Sequence, residues 1–342
     1  MKKKLNCAVI GMGVGSRHAF FYLKSSKTNL LKIYEKDKKK RHLIKKKFPK
    51  VQLVNNEDEI FKDPKIDLVS IASYDNYHFD QIMKAAKFKK NLFVEKPICL
   101  FLYQLRQIKK IVEKTKINFS CNLILRENNQ FKKIQNIIKK KMIGNIFFAE
   151  GDYNYGRLEK IEKGWRGKIP YYSVTHGGAI HMIDLILWYL NELPNKVIGF
   201  GNRLVVKNKY FKQNDFTTGI LNFKSGKIVK IISNYGCVLP HHHALKIYGN
   251  KGSIIHDFRG GAFIKSRQKN KKPIYFNLKT SNKQKANTLK CFVEDIINNK
   301  KKKLKDNFKN IINSMLISLA IEKSIEKKKQ TFINYSKLKF ND

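Results

Sequence analysis

An apolar run, Leu5–Ile10, ends in Gly11-Met12-Gly13-Val14-Gly15-Ser16 and leads straight into a helix-forming segment, Ser16–Ser25. This arrangement constrains the fold more than any other feature of the chain. A first glycine permits a tight turn out of a strand. A second lets backbone approach a phosphate closely, and a small third residue, here Ser16, lets the helix pack on the strand. The helix start carries unbonded N–H groups and a partial positive charge, which suit a pyrophosphate. Gly15 adds a permissive position. The pattern predicts that Gly11, Gly13, Val14, Gly15 and Ser16 hold a dinucleotide. Glu35 ends the next apolar run, Leu30–Tyr34, and follows Gly13 by 22 residues. That spacing suits a carboxylate that binds ribose hydroxyls. Glu35 favours NAD by repelling a 2′-phosphate, while Lys36 and the basic run Lys38–Arg41 keep NADP open.

The first 120 or so residues alternate short apolar strands with helices. Further strands are expected at Gln52–Val54, Asp67–Ala72, Asn91–Val94 and Asn118–Asn122, with helices at Lys38–Phe48, His78–Lys87 and Leu102–Lys114. Continuous apolar strands separated by helices imply a parallel sheet covered on both faces, doubly wound by right-handed crossovers. The pattern then changes. Helix Asn129–Lys141 leads to longer strands at Ile146–Tyr155, Val197–Val206, Phe216–Phe223, Ile228–Tyr235, Leu245–Tyr248, Ser253–His256 and Ile274–Leu278. Tight turns at Ser225-Gly226 and Gly249–Gly252 favour antiparallel pairing. One helix, Ala179–Leu190, interrupts them, and helices near Ala286–Asn298 and Asn307–Lys327 follow. The expected fold is α/β: a Rossmann doubly wound sheet over residues 1–121, then an α+β substrate and oligomerisation domain over 122–342 with a large, open, mostly antiparallel sheet.

Composition excludes several classes. The formal charge is +45, carried by 62 Lys and only nine Arg scattered in short runs. A sequence-specific nucleic-acid reader draws more on the planar arginine fork and gathers its charge on one element. A general field that attracts anionic substrates fits better. The five scattered cysteines form no C-x-x-C and are odd in number, so a disulfide framework is not expected and a reducing, cytoplasmic setting fits. The six apolar residues after the basic start are too few for a secretory signal, and no run approaches a membrane span.

Lys96 in Glu95-Lys96-Pro97 follows the strand Asn91–Val94. Ligands of open α/β sheets bind at the carboxyl ends of strands, so Lys96 is expected at the mouth of the dinucleotide socket. Here the chain resembles the glucose–fructose oxidoreductase / inositol dehydrogenase (Gfo/Idh/MocA) family over nearly its full length. The resemblance rests on Gly11–His18, Asn76-Tyr77-His78, Glu95-Lys96-Pro97, Gly164-Trp165-Arg166 and Gly177–Asp184. It implies a Rossmann domain, a C-terminal α/β domain with an open sheet, and a nicotinamide between them. It also implies that Lys96 handles the reacting oxygen and its proton, with His181 as acid–base partner. A buried lysine near a cationic ring is expected to have a lowered pKa suited to that role. Asn76, His78 and Glu95 are implied as cofactor contacts, although a helix cap and a packed histidine explain Asn76 and His78 equally well.

One departure stands out. Many members of that family carry an aspartate four residues before the histidine, and this chain has Gly177 there, preceded by His176. Either Lys96 and His181 suffice, His176 substitutes, or the chemistry differs. Arg126, Trp165, Arg166, His176 and Asp184 are candidate substrate contacts, and Arg166 beside Trp165 suits a phosphate or carboxylate. No metal is expected. Alternate residues of His241-His242-His243 point to opposite faces of an extended segment, so at most two converge. Tyr153, Tyr155, Tyr171 and Tyr172 either stack on a ligand or pack.

The leading reading is an NAD(P)-dependent dehydrogenase that acts on a secondary hydroxyl or ketone of a sugar, cyclitol or nucleotide-sugar. Alternatives are a redox-neutral NAD-dependent glycosidase and a noncatalytic dinucleotide-binding protein. The open sheet leaves a face to cover, which favours a homodimer or homotetramer.

Overall fold

The computed structural model describes residues 4–277 and 286–341. The chain divides into two compact units: 1–123 with 285–312, and 124–284 with 313–342.

The first unit opens with β1 (Leu5–Ile10), α1 (Gly15–Lys24), β2 (Thr28–Tyr34), α2 (Lys38–Lys47), β3 (Gln52–Val54) and α3 (Asp58–Phe61). It continues with β4 (Leu68–Ile71), α4 (Asp75–Lys87), β5 (Asn91–Val94), α5 (Leu102–Thr115) and β6 (Phe119–Cys121). The six strands lie in the order β3-β2-β1-β4-β5-β6, and every pairing is parallel. This is the doubly wound order, with its switch between β1 and β4. The strands read as continuous apolar runs because both faces are covered: all four residues of β4 are buried.

The second unit holds α6 (Asn129–Lys139), β7 (Ile146–Asn154), α7 (Glu159–Glu162), α8 (Ile180–Leu190) and β8 (Pro194–Asn202). There follow β9 (Phe216–Phe223), β10 (Ile228–Asn234), β11 (His242–Gly249), β12 (Gly252–Asp257), β13 (Gly260–Ile264) and β14 (Ile274–Phe276). After α9 (Asn287–Ile297) and α10 (Lys301–Lys327), the chain ends in β15 (Thr331–Asn334) and β16 (Lys339–Asn341). Ten strands form one sheet in the order β14-β13-β12-β11-β7-β10-β9-β8-β15-β16. Only β7 and β10 pair in parallel; the other neighbours are antiparallel. Burial alternates along β9 and β10, as expected when one face packs on helices. Ala149, Val197, Leu221, Val229 and Ile231 are buried on the packed face. Gly199 and Gly219 leave room there for Ile321 of α10.

Three differences from the sequence reading have physical causes. The first unit is not one continuous stretch, because residues 285–312 return to it. Leu289, Phe292 and Val293 of α9 and Leu304 of α10 share one core with Leu5, Val9, Ala19, Tyr22 and Ile33. The last helix begins at Lys301 rather than near Asn307, since lysines are good helix formers on a solvated face. The strands β13, β15 and β16 went unrecognised, and β13 opens on two glycines that mask its β character. Leu278 of the last strand expected before the closing helices lies outside the described residues. Among the described residues no helix is long and apolar enough to cross a membrane, and none of the five cysteines is joined in a disulfide.

Candidate active site

The glycine loop lies at the β1/β4 switch. Gly11 has φ +82°, and a β-carbon there would sit 2.6 Å from the Ala72 carbonyl oxygen, so only glycine fits. A β-carbon on Gly15 would stand 3.0 Å from both Ala72 Cβ and Val9 Cγ1, which explains the close packing of α1 on the sheet. At Gly13 a β-carbon would meet nothing within 4 Å. The loop therefore opens onto free space where a pyrophosphate can approach backbone. Glu35 is buried, and Oε2 accepts the Met12 N–H at 2.8 Å while Oε1 accepts the Asp37 N–H at 3.0 Å. The carboxylate thus clamps the loop, and each oxygen retains a further lone pair for a ribose hydroxyl. Lys36 turns to the Tyr77 hydroxyl, 3.0 Å away. Asn76 Oδ1 is shielded from solvent and accepts no hydrogen bond among the described residues. An open glycine cradle, a clamped carboxylate and a buried open acceptor together fit a dinucleotide.

Glu95-Lys96-Pro97 is pinned on both sides of its lysine. Asn122 Nδ2 donates to Glu95 Oε1 at 2.6 Å, and His18 Nε2 lies 3.2 Å from the same oxygen. Burial alone would push the Glu95 carboxyl up. The His18 bond and charge, the Asn122 bond and the Lys96 charge outweigh it and hold Glu95 below its ordinary value of 4.5. On the other side, His78 Nδ1 donates to the Pro97 carbonyl at 2.6 Å, with Nε2 3.2 Å from the Ser73 carbonyl. His78 is fully buried. Glu95 and His78 hold the lysine loop through these contacts. His18 and Asn122 were missed as participants. The signals were there, since His18 closes the glycine motif and Asn122 follows β6 on the same edge of the sheet.

The sign of the Glu95 effect on stability follows from its depressed pKa. The contribution is complete above the unfolded value near 4.5 and is lost as pH falls through the lower folded value. The melting-temperature gap between wild type and Glu95→Gln is expected to be constant from pH 7 to about 5.5 and to shrink below 4.5. A gap independent of pH down to 3 would contradict this assignment.

In the second unit a π-helical turn, Thr175–Ala179, precedes α8. Such turns are uncommon and need local support. Ser173 Oγ accepts the His176 N–H at 3.0 Å and donates to Glu322, Thr175 bonds Thr217 at 2.9 Å, and Ser233 Oγ donates to the Val174 carbonyl at 2.7 Å. The two glycines are there for space. A β-carbon at Gly178 would stand 2.5 Å from Tyr153 Cδ1, and one at Gly177 2.3 Å from the Tyr172 hydroxyl.

The turn delivers His181 onto the face of Tyr153, with ring centroids 6.1 Å apart at 23°. His243 meets His181 edge-on at 5.9 Å, and His241 and His243 both contact Tyr153 at 5.3 Å. His242 points to the opposite face against Phe258, as the alternation requires. Arg166 lies over the rings of Trp165, Tyr172 and Tyr155, and its Nε donates to the Tyr172 hydroxyl at 3.1 Å. Three candidate substrate contacts bond other side chains. Arg126 Nε and Nη2 grip the Asp184 carboxylate at 2.7 and 2.6 Å, with Ser314 Oγ 3.3 Å away. His176 is buried, with Nδ1 2.7 Å from Ser318 Oγ. These three residues build the frame of α8.

A doubly wound sheet with an open glycine cradle, and a lysine pinned at its carboxyl edge, defines an NAD-binding oxidoreductase unit. Residues 5–123 match the family described as "Oxidoreductase family, NAD-binding Rossmann fold", and residues 131–255 match the "GFO/IDH/MocA C-terminal domain". The chain belongs to the GFO/IDH/MocA family. It is 25% identical over 266 residues to the myo-inositol 2-dehydrogenase of Thermotoga maritima, covering 74% of this chain and 75% of that one. It is 28% identical over 204 residues to the 2,7-anhydro-N-acetylneuraminate hydratase of Escherichia coli, a span of 59% of this chain and 54% of the hydratase. In fold it is similar to levoglucosan dehydrogenase in complex with NADH, at a TM-score of 0.82 and 17% identity, covering 96% of this chain and 98% of that one.

Proposed function

We propose that the chain transfers a hydride between NAD(P) and a secondary hydroxyl or ketone of a sugar, cyclitol or nucleotide-sugar. The observation that carries this reading is the doubly anchored Lys96 on the sheet edge that also bears the glycine cradle. Gly11, Gly13, Gly15, the start of α1, Glu35 and Asn76 would hold the dinucleotide, and when bound it accepts or returns the hydride. Lys96 binds the oxygen of the reacting carbon and takes its proton during oxidation or returns it during reduction. The Glu95 and Pro97 anchors fix the backbone on either side, so the lysine loses little freedom when it engages substrate. His181, braced on Tyr153, serves as the second acid–base group, and Arg166 and Trp165 bind substrate. NAD is favoured by the buried Glu35, with Lys36 leaving NADP accessible.

Absorbance at 340 nm with NAD and a panel of inositols, anhydrosugars and nucleotide-sugars tests the reading. Growth of NADH with one of them is the expected result. Binding of NAD without NADH from any of them would favour a redox-neutral reaction, a second reading supported by the likeness to a protein named as a hydratase.

We also infer a homodimer or homotetramer. The sheet face opposite the helices presents Phe148 stacked on Tyr248, together with Phe200, 59% exposed, and Phe332, 39% exposed. Sedimentation of a monomer at micromolar concentration would refute it.

A further inference from the structure

Tyr77 stands on α4 between the two residues that the sequence marks there, Asn76 and His78. Its hydroxyl accepts a hydrogen bond from Lys36 Nζ at 3.0 Å, and the ammonium lies 4.7 Å from the centroid of its ring. Among the described residues this is the one hydrogen bond that Lys36 makes. Lys36 follows the end of β2, and Tyr77 lies in the first turn of α4, which follows β4. β2 and β4 flank β1 on either side. The bond therefore bridges the carboxyl end of β1, from which the glycine loop leaves. The Tyr77 bond holds the Lys36 ammonium above its ordinary value, and the Lys36 bond draws the phenol below its own. The ammonium is thus charged at neutral pH.

The two carboxylates beside Lys36 are engaged elsewhere. Glu35 turns back to the loop, and its oxygens accept the Met12 and Asp37 N–H groups. Two backbone dipoles thus offset part of its charge. Asp37 caps α2 by accepting the Lys39 and Lys40 N–H groups, and it pairs with Lys40 Nζ at 3.3 Å. Further along the basic run, Arg41 donates to Asn55 Oδ1. Lys36 is braced differently, by a phenol from the far side of β1.

A phosphate on the 2′-oxygen of the adenine ribose distinguishes NADP from NAD. A carboxylate at the end of the second strand repels that phosphate, whereas a cation beside it attracts it through charge-assisted hydrogen bonds. A loose lysine gives up rotamer freedom when it takes a ligand, and a braced one gives up less. We propose that Tyr77 is a positioning residue that sets cofactor choice. It holds Lys36 at the ribose end of the cradle, where the ammonium receives the 2′-phosphate and offsets Glu35. An ammonium has three N–H groups, so two remain for phosphate oxygens once one is given to Tyr77. The site then takes NADP as well as NAD. This inference rests on the oxidoreductase reading above and concerns the cofactor of that same site.

The test titrates the full chain with NADH and with NADPH and follows the fluorescence of the reduced nicotinamide. Wild type is expected to bind NADPH within about tenfold of NADH at low salt, with NADPH weakened more as salt rises. Lys36→Gln is expected to weaken NADPH by about tenfold or more and to leave NADH nearly unchanged. Tyr77→Phe keeps the ring and removes the acceptor for Nζ, so a smaller loss is expected, falling on NADPH alone. Lys36→Arg keeps the charge and is expected to keep most of the NADPH affinity. NADPH weaker than NADH by more than about tenfold in wild type, an equal loss of both in Lys36→Gln, or an unchanged ratio in Tyr77→Phe would each overturn the proposal. Binding of neither dinucleotide sinks the oxidoreductase reading and this inference together, whereas NADH binding without NADPH sinks this inference alone.

Discussion

Lys96→Met lowers the rate of NADH formation by about 100- to 10,000-fold while NADH still binds: this is the expected result for a residue that moves the substrate proton. The pinning of the loop explains why the loss is confined to chemistry. Glu95 remains tied to Asn122 and His18, and Pro97 to His78, so the backbone keeps its course when the ammonium is gone. Methionine retains the length and apolar stem of lysine. Stopped-flow measurement of the hydride step, together with NADH fluorescence titration, separates the two effects. Arginine at 96 is expected to fail as well, because a guanidinium does not release its proton near neutrality. A Lys96→Met enzyme within tenfold of wild type would remove this lysine from the mechanism.

Arg126→Ala is expected to destabilise the fold by about 3–5 kcal/mol, since it strands the Asp184 carboxylate in the interior. Asp184 is 3% exposed and receives two bonds from the guanidinium. The pair joins the turn Ile124–Glu127 to α8, the helix that carries His181. Replacing both partners by apolar residues, Arg126→Met with Asp184→Leu, is expected to recover most of the loss, because no uncompensated charge then remains. Urea unfolding of the two variants reads this directly. A single variant as stable as wild type would show that water reaches Asp184.

Much of the first unit was legible because its determinants are local. Strand, glycine turn and helix sit next to each other in sequence, and Glu35 keeps a fixed spacing from Gly13. The second unit yielded less. Its sheet assembles strands far apart in sequence, and its end strands, such as Gly260–Ile264, carry little apolar pattern. Lys96 and His181 stood out in the sequence as candidates, but the anchoring of the lysine did not. The contacts of Glu95 with His18 and of Pro97 with His78 join residues 77 and 19 apart, and sequence order gives no sign of such partners. Arg126 and Asp184, read as two separate substrate contacts, satisfy each other for the same reason. Gly177 was visible as a departure, yet the hydroxyls that occupy its space come from Tyr172 and Tyr235, which only folding brings together.

The return of residues 285–312 to the first unit has a consequence during synthesis. Residues 1–123 leave the ribosome about 160 residues before the segment that completes their core. At about 5–20 residues per second, the nascent sheet waits roughly 8–30 s for Leu289, Phe292, Val293 and Leu304. Throughout that interval the core around Leu5, Tyr22 and Ile33 lacks these four side chains. The same dependence means that an isolated 1–123 fragment, made as a stand-alone nucleotide-binding cassette, would lack part of its core permanently.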